Sequence, residues 1–525
     1  MSDSENEHMR LESSVSTKTI PTVDPIPVAQ IVAKIIRVGI PMALSYTVPA
    51  SMVATGMMIS RLGEEDTEDY LATAALAVTM TQIVTVAAFS PLLAMITIGG
   101  GKYGELKKFI REEKTDDIVR TEKQIADLFK VSILLSTLIV PFPFAAMYFS
   151  EPILADCFGQ SRHISGLVQQ NLRAYSYGLP ALMYRICMEQ LLFSFEKTSH
   201  TMSISLLTFS IGTAAAYYLA FGPPDLGLAG IGYGYDLEAY LTCLSFAVYL
   251  CLHPSFAGTP FLSGTWVNQE TLRQSKTLLE MGLPITVQLT SQLAAALLVT
   301  LFAGWLGKNA LAAQNFSAQL FVFSVIPSDA FAQTLAQVVA SLLGEEQFHN
   351  AARFAQFGLL TNIGLVSLFC IPISIEPSIL TRIFASSADA DVMRMVRYLV
   401  PIAAGQVLAE TAGLSMIQTS RSANDLRTPT KIKMTSLWLG VLAAYLLGFH
   451  TSLHIYGINI GFLLGVALGT MALAPRWVHK MEASNLKAVR QSQARETLFY
   501  TEGEVVSPLI STNSKEDVCE RKLSK

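Results

Sequence analysis

Twelve apolar stretches separated by short polar breaks constrain this chain more than any other feature. They run over about 34–60, 71–98, 126–149, 165–193, 201–221 and 227–252, then 279–305, 310–343, 352–375, 392–419, 430–449 and 454–475. A helix of about 20 residues crosses a bilayer core, so each stretch is long enough to span one. In hydrocarbon no water satisfies a free N–H or C=O, so such a stretch folds as a helix with internally paired backbone. Composition agrees: 51% of the 525 residues are hydrophobic and 15% charged, against about a quarter charged in soluble domains. The predicted fold class is an all-α polytopic membrane protein with twelve transmembrane helices.

Lys and Arg fall mainly on one side. The segment 99–125 carries Lys102, Lys107, Lys108, Arg111, Lys114, Arg120 and Lys123, and alternate counting adds Arg273, Lys276, Arg421, Arg427, Lys431, Arg476, Lys480 and Lys487. The opposite loops hold little beyond Arg61, Arg162, Lys308 and Arg382. The basic side faces the cytoplasm, which puts both termini there and the protein in the cell membrane. The expected organisation is a disordered cytoplasmic N-terminus (1–30), an N-lobe of six spans (31–252), a cytoplasmic linker (253–277), a C-lobe of six spans (278–475) and a disordered cytoplasmic tail (476–525).

Several function classes are excluded at this level. The N-terminus has no apolar core, so no cleaved signal is expected. The net charge is −4 with no basic block, which argues against a nucleic-acid partner. Six cysteines and eight histidines are scattered, without metal or disulfide spacing. Gly99-Gly100-Gly101 lacks the following Lys-Ser/Thr of a phosphate loop and reads as the flexible end of the second helix. No enzyme motif is present, and no cofactor is expected beyond a transmembrane proton or sodium gradient.

The two sets of spans share one design. Gly39-Ile40-Pro41 opens the first and Gly282-Leu283-Pro284 the seventh, and the Leu-Gly pairs Leu62-Gly63 and Leu306-Gly307 follow. Leu71-Ala72 recurs as Leu311-Ala312 and Gly104-Glu105 as Gly344-Glu345, both 240 residues on. In spans four and ten, Arg173, Pro180 and Glu189 recur as Arg394, Pro401 and Glu410, all 221 residues on. With the Arg at the outer interface, the Glu lies about 24 Å away along the helix, in the inner half of the membrane. Six spans per set return the chain to its starting side, so a pseudo-twofold along the membrane normal relates two six-helix bundles around a central cleft.

The order and spacing of Leu179-Pro180-Ala181, Lys197-Thr198, Gly282-Leu283-Pro284, Leu306-Gly307 and Leu311-Ala312-Ala313 resemble the multidrug and toxic compound extrusion (MATE) family over about residues 34–475. The resemblance implies a V of two six-helix lobes and antiport of amphipathic, often cationic, compounds against sodium ions or protons. Thr55 stands where many members have Asp before the first Leu-Gly. Gln292 stands where many have Glu eight residues after the Pro of the seventh span, and the acidic position of the tenth span is kept as Glu410.

A charged side chain within a span costs at least about 2.5–3.5 kcal/mol, so each one needs a reason. Glu410 has no basic residue within a turn of its own helix and is the first candidate for proton exchange; the alternative is a packing carboxyl. Arg185 and Glu189, four apart on one face, are expected to pair with each other, as a structural pair or as a switch. Asp329, beside Pro327-Ser328, is a further coupling candidate, and Asp236 and Glu238 lie near the outer end of the sixth span. Gln292, Gln314, Asn315, Gln319, Gln333, Thr55 and Tyr46 are the expected cleft residues, although amides between membrane helices commonly bond one another. The leading reading is a monomeric antiporter that exports small amphipathic molecules in a lipid bilayer. A lipid-linked oligosaccharide flippase of the same superfamily is the runner-up, and a membrane-embedded lipid enzyme is the reading from another class.

Overall fold

The computed structural model describes residues 25–62, 67–256, 259–261, 265–376 and 390–491. Of the segments expected to be disordered, 1–30 and 476–525, residues 1–24 and 492–525 lie outside the described residues, as does Arg382, while 28–30, 476–480 and 483–491 are helical, contrary to expectation. The N-lobe comprises α1 (Val28–Ser45), α2 (Thr47–Leu62), α3 (Thr67–Phe89), α4 (Ala94–Arg111), α5 (Thr115–Ile139), α6 (Pro141–Tyr148), α7 (Arg162–Ser176), α8 (Leu179–Ser194), α9 (Thr198–Phe221) and α10 (Gly227–Leu252). The C-lobe comprises α11 (Gln269–Trp305), α12 (Lys308–Gly344), α13 (Phe348–Ile375), α14 (Ala390–Ser422), α15 (Arg427–Phe449) and α16 (His454–Lys480).

Eleven helical segments are long and apolar enough to cross a membrane. The twelfth span is the pair α7–α8, interrupted at Tyr177 and Gly178 just before Pro180. A proline cannot donate to the helix and its ring clashes with the preceding turn, which explains the break. The twelve-helix, two-bundle fold is therefore present. Two local expectations fail. Gly99-Gly100-Gly101 is the interior of α4, and the basic segment 99–125 is almost wholly helical, with only Glu112–Lys114 as a turn. The linker is also shorter than expected, because α11 begins at Gln269.

The glycines of α4 serve close approach. A Cβ at Gly99 would lie 2.5 Å from Ser194 Oγ, and one at Gly100 would lie 3.0 Å from the Gln337 carbonyl. Contacts between lobes come in exchanged pairs. Gly104 packs on the Ser341 backbone and Gly344 on that of Gly101; Gly39 packs on Phe331 and Gly282 on Pro91. Advancing 104, 101 and 91 by 240 gives 344, 341 and 331, and advancing 39 by 243 gives 282, so each contact is its partner's image under a pseudo-twofold. The inner halves of the first and seventh spans cross over: Ile31 and Ile35 join the C-lobe core with Leu335 and Val339, while Leu278, Met281 and Ile285 join the N-lobe core.

The match at 221 residues in spans four and ten is out of register. Ser194 Oγ bonds the Ile96 carbonyl and Ser422 Oγ bonds the Ala336 carbonyl, a step of 228. Gly178 packs on Asp236 and Gly405 on Leu463, a step of 227. Glu189 therefore corresponds to Met416 or Ile417, and Glu410 to Leu182 or Met183. The sequence match sits about seven residues, or two turns, away from the structural one; seven residues nearly restore the same helix face, which is why it looks plausible.

Candidate functional site

The N-lobe centre is organised by Arg185 of α8. Its guanidinium donates to Glu238 Oε1 of α10 at 3.1 Å and to Thr47 Oγ1 at 2.5 Å, and Thr47 itself donates to Glu238 at 3.0 Å. The break between α1 and α2 at Tyr46 brings Thr47 to this point. The expected pair of Arg185 with Glu189 is not formed. Spacing of four allows such a pair, but the fixed carboxylate of a neighbouring helix wins. Glu189 stays buried, and among the described residues no donor reaches its Oε1. A small polar cavity beside this cluster is lined by Ser51, Tyr175, Arg185, Tyr235, Asp236 and Glu238. Thr55 lines an adjoining cavity with Asn171 and Tyr175. Tyr46 packs edge-on against Phe193, with its hydroxyl buried beside Gln333.

The C-lobe centre is organised by Glu410 of α14. The expectation that this carboxylate is unpaired is overturned: Lys433 Nζ of α15 donates to Oε2 at 2.6 Å, and Gln292 Nε2 of α11 donates to Oε1 at 2.8 Å. The sequence shows neighbours on one helix only, and the lysine arrives from another. Lys433 is 1% exposed and Glu410 4%. Asp329 accepts from Gln333 at 2.7 Å and from Gln418 at 3.3 Å, and Gln418 in turn accepts from Arg421 at 2.8 Å. Arg421 also donates to Gln288 at 2.7 Å. Gln314 accepts from Asn459 at 2.7 Å as an interhelical bond, while Asn315 and Gln319 are exposed.

Sequence reasoning missed Lys433, Arg421, Gln288, Gln418 and Thr47. Lys433 and Arg421 lie near the ends of apolar stretches and were counted, or passed over, as loop cations. Their signal is burial, which appears only once the helices pack.

Among the described residues, the glycine contacts and crossed-over core residues that join the lobes fall in one half of the spans, at the end bearing the basic segment. That end is closed by Lys107, Lys108 and Arg111 of α4 facing Glu345 and Glu346, at 3.7, 2.8 and 2.9 Å. Deeper in, Gln337 Nε2 donates to the Ser194 carbonyl at 3.1 Å across the lobes.

The MatE family model matches residues 284–446. A probable multidrug resistance protein NorM of Bradyrhizobium diazoefficiens is 25% identical over 82% of this chain and 89% of its own length. A protein of the same description from Bacillus subtilis is 26% identical over 59% of this chain and 69% of its own. Among solved structures, the eukaryotic MATE transporter AtDTX14 superposes with a TM-score of 0.73 at 14% identity, covering 89% of this chain and 99% of that one. An outward-facing multidrug resistance MATE transporter superposes with a TM-score of 0.72 at 16% identity, covering 89% and 100%. Two pseudo-symmetric six-helix lobes that meet at one end, the MatE match over residues 284–446 and this agreement in sequence and fold make the chain similar to the multidrug and toxic compound extrusion family of membrane transporters.

Proposed function

We propose that this chain is a secondary active antiporter. It exports small amphipathic compounds, cations among them, in exchange for protons or sodium ions by alternating access. One observation carries the reading: among the described residues the lobes join at one end of their spans, below a centre that holds buried carboxylates in both lobes. Relatives described as multidrug resistance proteins support the substrate class. The closed, basic end is assigned to the cytoplasm by the excess of Lys and Arg, so the cleft opens outward. Glu410 is the coupling carboxylate of the C-lobe, where it ties three spans together through Gln292 and Lys433. Asp329, Glu189 and Arg185 belong to the same charged centre, and Gln292, Gln333, Thr55 and Tyr46 border the path.

The test uses inside-out vesicles that take up ethidium, an amphipathic cation. Glu410→Gln combined with Lys433→Gln removes the exchangeable charge without stranding the buried ammonium, so gradient-driven uptake should fall by about tenfold or more while the protein stays folded. Uptake at the unaltered rate would refute Glu410 as the coupling site. For orientation, a cysteine at Thr115 should resist an impermeant thiol reagent in intact cells and one at Ser452 should react; the reverse pattern would invert the assignment.

A further inference from the structure

Lys433 is among the largest fully buried side chains of the protein. A glycine makes room for its end: a Cβ at Gly413 would lie 3.1 Å from its Nζ. The register of 227–228 places Gly413 opposite Arg185 of the N-lobe. Both lobes therefore hold a fixed cation at one station of the common scaffold, supplied by span four in one and by span eleven in the other. The exchange is complete. Ser205 stands where Lys433 would be in the N-lobe, and Gly465 stands where Glu238 would be in the C-lobe, with Gly212 packing on Glu238 as Gly440 packs on Gly465. The station keeps its positive charge while the helix that provides it changes.

We propose that Lys433 is a tethered counter-cation that closes the Glu410 site to sodium and leaves the proton as the only ion this site exchanges. The proposal rests on the reading of Glu410 as the coupling carboxylate. Both Glu410 oxygens already accept, one from the ammonium and one from the Gln292 amide. A metal cation would need the same lone pairs and would sit against a positive charge in a medium of low dielectric, where like charges repel strongly. A proton needs only one lone pair. It adds to a Glu410 oxygen, Lys433 keeps its own proton, and the pair passes from neutral to a single positive charge. The ammonium then lacks its counter-charge, and the tie between α14 and α15 is weakened. The other charged groups of this centre are Asp329 of α12, held through Gln418, and Arg421 on α14 itself. α16 presents Gly469 and Thr470, neither of them charged.

The experiment uses the full chain in vesicles, with ethidium uptake driven either by an imposed pH gradient or by an imposed sodium gradient at equal pH, choline replacing sodium in the control. The unaltered protein should respond to the pH gradient and show the same rate in sodium as in choline. Lys433→Gln, which empties the station and frees a carboxylate oxygen, should lose pH-driven uptake and gain sodium-driven uptake of about tenfold over choline, with sodium-specific protection against thermal unfolding. The double variant Lys433→Gln with Glu410→Gln, which removes both charges, should fold and respond to neither ion. Sodium-driven uptake by the unaltered protein would overturn the proposal, and this arm decides if the single variant does not fold. A folded Lys433→Gln that ignores sodium would overturn it as well. Full pH-driven uptake in Glu410→Gln alone would instead remove the reading beneath it, whatever Lys433 does.

Discussion

The two lobes follow one plan but solve the same electrostatic problem differently. In the N-lobe one cation, Arg185, serves a cluster with three buried carboxyl groups, those of Glu189, Asp236 and Glu238. Among the described residues Arg185 Nε and Glu189 Oε1 have no hydrogen-bond partner, as is true of Gln333 Oε1 and Gln337 Oε1 in the C-lobe. In the C-lobe, Lys433 matches Glu410 directly, and Arg421 answers Asp329 through Gln418. The backbone differs in the same sense. Spans one, two and four of the N-lobe are interrupted at Tyr46, at Ser90–Leu93 and at Tyr177-Gly178, whereas α11, α12 and α14 run on through Pro284, Pro327 and Pro401. Interrupted helices around an excess of carboxyl groups have alternatives available at small cost; continuous helices with matched charges do not. The difference suggests a C-lobe that serves as frame and an N-lobe that rearranges within it.

The largest effect should come from stranding charge in the N-lobe. Arg185→Met leaves Glu238 buried without its partner and should cost about 3–5 kcal/mol of stability, read as thermal unfolding in detergent. Adding Glu238→Gln should restore most of it. If the double variant is as unstable as the single one, the pair is not what holds that centre together.

Next in size is the pseudo-twofold contact. Gly104→Ala places a methyl group on the Ser341 backbone and should prevent the lobes from closing at that end, lowering ethidium uptake by about tenfold. Gly166→Ala, in a position with nothing within 4 Å, is the control. Equal uptake in both variants would mean that the closed end is not part of the cycle.

Within the C-lobe, Gln406→Leu deletes one neutral bond, Nε2 to the Asn459 carbonyl at 2.9 Å. It should cost about 1 kcal/mol, since a neutral bond to the backbone is involved. A loss as large as that of Arg185→Met would erase the contrast between lobes. The smallest effect is expected at the surface. Arg111→Gln breaks the exposed pair with Glu345 and should change stability by about 0.5 kcal/mol or less, vanishing at high salt. A salt-independent loss would show that this pair holds the closed end more firmly than its exposure suggests.

By itself the sequence determined the twelve spans, the side of the basic residues and the pairing of the two halves, because hydrocarbon forces each apolar stretch to close its own hydrogen bonds. It also pointed to Glu410, Asp329 and Arg185, because a charge within a span is conspicuous. Which group each charge meets was decided only by the tertiary structure. Arg185 turns from Glu189 to Glu238, Lys433 reaches Glu410 from another helix, and the repeat in spans four and ten slides by two turns. Neighbours along a helix are written in the chain at spacings of three and four, but neighbours across helices depend on rotation and axial shift. Those are set by close contacts such as Gly178 on Asp236 and Gly440 on Gly465, which no spacing in the sequence encodes.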